Sequence, residues 1–176
     1  MIVDFLPEDA LRLEGRLGLT AAPGFRWPFS GEPPDRSLPD DLRELCQQHR
    51  ARVLVTLLEE GEMRRLGLAD LRREASRAGL TSLWLPIADM SVPRSARAAV
   101  ALVAETLRCL ARGETVVVHC LAGLGRSGTF AACCLVASGW EAPDAVRLVR
   151  EVRPGAIQVA EQETFVDGFR QAWQGS

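Results

Sequence analysis

The stretch ETVVVHCLAGLGRSGT, residues 114–129, breaks into three pieces. Glu114 to His119 is a valine-rich run of the kind that forms a buried central strand. Leu121 to Gly125 has almost no side-chain bulk, and its two glycines let the backbone bend at little steric cost. A helix is expected to start near Arg126 and to stop at Gly139. Strand, loop and helix in this order place the loop beyond the carboxyl end of a strand, where α/β folds bind their ligands. Cys120 is delivered to that edge.

The chemistry of the loop follows from its residue types. A loop that ends in a helix N-terminus can turn its N–H groups inward and cradle an anion. The residues of that cradle are Leu121, Ala122, Gly123, Leu124, Gly125 and Arg126. Arg126 adds a planar fork suited to two phosphate oxygens. The same positive surroundings favour a thiolate over a thiol. One anion site then explains both residues: Cys120 as nucleophile and Arg126 as the grip on the substrate's oxygens. The bland alternative for Cys120 is a core thiol, and for Arg126 a solvated loop cation.

Outward from this unit, the pattern alternates strands and helices. Gly15 to Gly24 reads as a short strand ending in a Pro-Gly turn. Phe25 to Pro34 reads as a surface loop packed down by Trp27 and Phe29. Ser37 with Asp40 resembles a capping box, and Leu42, Leu45 and His49 are expected on one face of the helix that follows. Arg52 to Leu58 and Ser82 to Ile87 read as strands, with two short helices between them separated at Gly67 and ending at Gly79. A helix is predicted from about Pro93 to Arg112, with Val100, Val103, Leu107 and Leu110 on its buried face. Two more follow, one from Pro143 to just before Pro154 and one carrying Gln162, Phe165, Phe169 and Trp173. The expected fold is α/β: a central, mainly parallel sheet of about five strands with helices on both faces. No repeat or linker divides it, so residues 1–176 are expected to form a single domain.

Composition narrows the function classes. No run is apolar enough to span a membrane, and the N-terminus lacks a secretory pattern, so a cytoplasmic protein is expected. The formal net charge of −2 and the scattered arginines give no nucleic-acid or membrane footprint. Lysine, asparagine and tyrosine are absent, a bias expected of a GC-rich, bacterial genome. The five cysteines fit neither a disulfide framework nor a four-ligand zinc site, so four of them, Cys46, Cys109, Cys133 and Cys134, are expected to be small buried hydrophobes.

HCLAGLGRSGT, residues 119–129, resembles the signature of the cysteine-dependent protein phosphatases: His-Cys, five residues, Arg, then Ser or Thr. LPIADMSVP, residues 85–93, is similar to the general-acid loop of the dual-specificity group. RPGAIQVAEQ, residues 153–162, is similar to the late segment that closes the site. GRLGLTAAPG and VTLLEEGEMRRLG extend the likeness, most of all to kinase-associated phosphatase and its bacterial relatives. The resemblance implies a protein tyrosine phosphatase-like fold and a phosphocysteine intermediate. Cys120 would attack phosphorus, and Asp89 would serve first as acid and then as base. Arg126 and the loop amides would stabilise the transition state. Ser127 would hydrogen-bond the sulfur, or act only as a helix N-cap. His119 would orient the loop, and Gln158 and Gln162 would position water or close the site. His49, the other histidine, reads as a helix-surface residue. No metal or other cofactor is required by this chemistry. The partner implied is a phosphorylated protein carrying phosphotyrosine and phosphoserine or phosphothreonine. A phosphoinositide or another small phosphomonoester is the alternative substrate, although Leu121 and Leu124 stand where lipid-directed loops tend to carry lysines. A phosphoprotein-binding module without turnover, and a sulfurtransferase or arsenate reductase built on the same Cys-to-Arg spacing, are readings of other classes.

Overall fold

The computed structural model describes residues 1–26 and 37–175. The loop expected at 25–34, including Trp27 and Phe29, lies beyond Arg26 outside the described residues. Five strands form one sheet in the order β1-β2-β5-β3-β4: β1 (Asp4–Phe5), β2 (Leu17–Thr20), β3 (Ala51–Thr56), β4 (Thr81–Trp84) and β5 (Thr115–His119). β1 pairs antiparallel to β2, and the other three pairings are parallel. Every residue of β5 is buried, as its valine run requires of a strand flanked on both edges by others.

The helices form two groups against this sheet. α1 (Leu38–Gln47) and α3 (Leu71–Arg77) pack together beside β3 and β4, with the short α2 (Glu60–Arg65) before α3. α4 (Ala96–Ala111), α5 (Gly125–Ala137), α6 (Ala142–Val152) and α7 (Ala160–Gln174) form the other group around α5, which also packs on β2 and β5. This is the mixed α/β sheet with helices on both faces that the pattern predicts.

Local chemistry sets the helix ends. The capping box is present: Ser37 Oγ accepts from Asp40 N–H, and Asp40 Oδ2 accepts from Ser37 N–H at 3.1 Å. Gly67 and Gly79 adopt φ of 72° and 90° and end α2 and α3 as their positions suggest. Ser95 caps α4, its Oγ accepting from Ala98 N–H at 3.2 Å.

Several boundaries differ from the sequence expectations. β4 ends at Trp84 rather than Ile87: Leu85 and Ile87 still donate to Thr56 O and Leu57 O at 3.1 and 3.0 Å, but a two-residue step on this side now meets a one-residue step on the β3 side, which breaks the regular ladder. β3 ends at Thr56, although Leu57 and Leu58 stay buried. His49 is not on α1. The helix closes at Gln47, Arg50 turns the chain at φ 55°, and the imidazole packs near Phe5 with Nε2 3.2 Å from Met1 O. Leu107 is half-buried, and Thr106 and Cys109 take buried positions on α4 instead. Cys46 is also only half-buried, its thiol donating to Ala78 O at 3.5 Å. Cys109, Cys133 and Cys134 are buried, and burial pushes the thiols of Cys133 and Cys134 well up. β1, only two residues long, has no periodicity from which to predict it.

Candidate active site

Cys120 follows the last residue of β5, and α5 opens at Gly125. Between them, the carbonyls of residues 120–125 are each held by a donor. Cys120 O lies 3.0 Å from His119 Nδ1. Leu121 O accepts from Ala22 N–H at 2.9 Å, and Leu124 O from Gly128 N–H at 2.8 Å. Ala122 O and Gly123 O accept from the Arg153 guanidinium at 2.9 and 2.6 Å. Gly125 O accepts from Thr129 Oγ1 at 2.8 Å. A planar peptide points its N–H opposite its carbonyl. Fixing six carbonyls therefore fixes the amides of residues 121–126, and none of these donates to an acceptor among the described residues. The result is an N–H nest at a helix start.

Gly123 makes the bend possible. It sits at φ 72°, and a Cβ there would lie 2.3 Å from Thr20 O of β2. Only a residue without a side chain lets the loop lie this close to the neighbouring strand.

His119 is fully buried. Its Nε2 lies 2.9 Å from Thr56 Oγ1. Burial lowers its pKa to about 4, so the ring is neutral near pH 7. A carbonyl can only accept, so Nδ1 carries the proton toward Cys120 O and Nε2 accepts from the Thr56 hydroxyl. The ring locks the strand end to the loop and carries no charge.

The Arg126 side chain is only 2% exposed. Its Nη1 donates to Glu62 Oε2 at 2.7 Å and to Ile87 O at 3.0 Å, and its Nη2 to Glu62 Oε1 at 3.0 Å. Burial works against the charge, but the Glu62 hydrogen bonds and the fields of Cys120, Glu62 and Asp89 outweigh it and hold the arginine above its ordinary pKa. Asp89 Oδ1 lies 2.9 Å from Nη2, while the Asp89 side chain is 65% exposed. Asp89 thus bridges the buried guanidinium and solvent. The turn that presents it is tight: Met90, the next residue, sits at φ 56° and is exposed.

Gln162 is fully buried. Its Oε1 accepts from Gln158 N–H at 2.8 Å and its Nε2 donates to Ser91 O at 3.2 Å, which ties the start of α7 to the Asp89 loop. A Cβ on Gly125 would lie 2.8 Å from Gln158 Oε1 and 2.9 Å from Gln162 Nε2, so both amides stand at the first residue of α5. Ser127 is fully buried, and its Oγ has no hydrogen-bond partner among the described residues. It is not the N-cap of α5, which is Leu124; Ser127 lies inside the first turn.

The structure therefore brings Cys120, the cradle, Arg126, Asp89, His119, Ser127, Gln158 and Gln162 to one edge of the sheet. Three participants escape the sequence reading. Glu62 looks like one of several surface acids of a short helix, yet its side chain is 10% exposed and it holds Arg126 with two hydrogen bonds. Thr56 looks like an ordinary strand residue. Arg153, which also pairs with Asp4, precedes Pro154, and only this position at the end of α6 hints at a special role.

Residues 31–140 match the protein family described as "Polymorphic toxin system, DSP-PTPase phosphatase", which is more than half of the chain. Cyclin-dependent kinase inhibitor 3 from Homo sapiens is 32% identical over 159 residues, covering 88% of this chain and 71% of that protein. Protein tyrosine phosphatase type IVA 3 from Homo sapiens is 42% identical over 62 residues, and the match spans 35% of each chain. Among solved structures, a kinase associated phosphatase with its catalytic-site cysteine substituted by serine superposes with a TM-score of 0.89 at 24% identity, covering 100% of this chain and 97% of that one. With a nest of free amides between a buried cysteine and a buried arginine, and with these matches across its length, the chain belongs to the dual-specificity group of the cysteine-dependent protein tyrosine phosphatases.

Proposed function

We propose that the protein removes phosphate from phosphotyrosine and from phosphoserine or phosphothreonine on protein substrates, through a phosphocysteine. The observation that carries this reading is the set of unpartnered amides at residues 121–126, with Cys120 and Arg126 at its two ends. In the first step Cys120 Sγ attacks phosphorus in line with the ester oxygen. The S–P bond forms, the P–O bond breaks, and protonated Asp89 gives its proton to the leaving oxygen. The arriving phosphoryl group competes for the Arg126 Nη2 that Asp89 occupies in the free protein. This exchange moves the carboxyl from the arginine toward the leaving group. The amides and Arg126 hold the equatorial oxygens as charge shifts among them.

In the second step water attacks phosphorus and gives its proton to the Asp89 carboxylate. The S–P bond breaks and phosphate leaves. Ser127 Oγ, which has no other partner among the described residues, donates to the departing sulfur, and Gln158 and Gln162 align the water. Leu121 and Leu124 present no cations in the loop, which supports a phosphoprotein over a polyanionic lipid headgroup. We further assign residues 1–176 to one catalytic unit acting in the cytoplasm. In support, no helix among the described residues is long and apolar enough to cross a membrane.

The test is phosphate release from phosphotyrosyl, phosphoseryl and phosphothreonyl peptides, phosphoinositides and an aryl phosphate, with Cys120→Ser as blank. Release from both tyrosyl and threonyl peptides is expected. Release from phosphoinositides alone would replace the protein substrate with a lipid. No release at all would leave a binding protein. Asp89→Asn should slow a substrate with a poor leaving group far more than one with a good leaving group, and equal losses would remove its role as acid.

A further inference from the structure

A second basic concavity lies at the other end of the sheet. It is formed where the parallel strands β2, β3 and β5 begin, whereas Cys120 follows the end of β5. Five strand residues separate the two sites, roughly 15 Å. The concavity is open to solvent, offers about 670 Å³ and is lined by Arg16, Arg50, Arg52, Glu14 and Gln48 among others. That is the size of a small-molecule site.

Its three arginines differ from most others in the chain. Surface arginines elsewhere pair with acids, as Arg43 does with Asp40, Arg77 with Glu74 and Arg147 with Asp144. Arg16, Arg50 and Arg52 have no carboxylate within ion-pair distance among the described residues. Arg16 lies over the Phe5 ring at 4.1 Å, a contact that steadies the guanidinium without neutralising it. Arg52 acts on the Glu114 carboxyl only at longer range, since Glu114 is held by Arg112. Glu14 is the one acid lining the concavity, so the lining keeps two net positive charges, three arginines less one glutamate.

The backbone presents these side chains through two departures from regular structure. Arg50 has φ 55°, a left-handed conformation that is strained in a residue with a side chain. Arg52 sits where the pairing of β3 with β5 slips between Ala51 and Val53, an irregularity of the kind that re-aims a side chain. Three forked cations that hold no ion pair among the described residues, lining one concave space, are suited to several oxyanions at once.

We propose that this concavity binds a small polyanion carrying at least two phosphate groups, independently of the Cys120 loop. The test uses the full chain with Arg126→Met, so that the first site grips phosphate only through its amides. Inorganic pyrophosphate and adenosine diphosphate are titrated by calorimetry at low ionic strength, where surface charge is least screened. Binding of at least one is expected, weakened by about tenfold or more in the added pair Arg16→Gln and Arg52→Gln. Equal affinities would mean that the phosphate chain alone is read, and tighter binding of the nucleotide would place its organic body in the remaining volume. The pair in an otherwise native chain should leave aryl phosphate turnover unchanged. Amide chemical shifts of the native protein provide a readout that needs no variant: pyrophosphate should move residues 14–16, 48–52 and 113–115 in addition to the Cys120 loop. Failure of both ligands to bind, binding indifferent to the pair, or shifts confined to 120–126 would each overturn the proposal.

Discussion

At the scale of single residues, the site depends on groups whose charge state is fixed by burial and by their partners. His119 is the clearest. Its pKa falls from an ordinary 6.5 to about 4 because burial disfavours the imidazolium. Between pH 6.5 and 4 the unfolded chain takes up a proton that the folded chain refuses, so stability falls as pH falls through that window and is unaffected by this group above it. The loss approaches about 3 kcal/mol at the lower end. Denaturant titrations of the wild type and His119→Gln from pH 7.5 to 4 should show a shallower fall in the variant, and identical slopes would contradict the assignment. Glu62 is the second case. Removing its charge leaves the buried Arg126 without its main partner, a change of about 3–5 kcal/mol for pairs of this kind. Glu62→Gln should lower the melting temperature and raise KM for an aryl phosphate more than it lowers kcat. A variant as stable as the wild type would show that Ile87 O and Asp89 suffice. The sequence makes Cys120, Arg126 and Asp89 legible because motif spacing encodes them. It hides Glu62 and Thr56, because their contacts cross sequence separations of 64 and 63 residues.

At the scale of elements, the strand, the loop and the helix start were legible because β-branched runs, glycines and caps act locally. What the sequence did not reveal is the brace. Arg153, past the end of α6, reaches two consecutive loop carbonyls and turns the following amides inward. Hydrogen bonds from a charged donor contribute about 1.5–3 kcal/mol each. Arg153→Met should therefore slow turnover by about tenfold or more and weaken vanadate binding, while the far-ultraviolet circular dichroism stays that of the wild type. Unchanged vanadate affinity would mean that the loop holds its polarity without the brace. The end of β4 and the place of His49 differ from the sequence expectation for a related reason: the slip in register after Trp84 and the turn at Arg50 are features of backbone geometry, which hydrophobic periodicity does not register.

At the scale of the whole molecule, the parallel order β2-β5-β3 gives the sheet two unlike ends. Carboxyl ends converge on the amide nest and Cys120, and amino ends converge on three arginines and a single glutamate. Fold class, strand count and the edge that gathers Cys120, Asp89 and Arg126 were all legible, since one valine-rich strand at the centre dictates the layering around it. The basic concavity was not, because Arg16 and Arg52 come together only through the sheet order. The central claim is that Cys120 carries the phosphoryl group between the two steps. It is tested most directly by acid-quenching the protein during turnover of an aryl phosphate and measuring the masses of its peptides. The account predicts one added phosphoryl group on the peptide containing Cys120, absent in Cys120→Ser together with turnover. Hydrolysis that continues in Cys120→Ser, or turnover with no phosphoryl group ever found on Cys120, would contradict it.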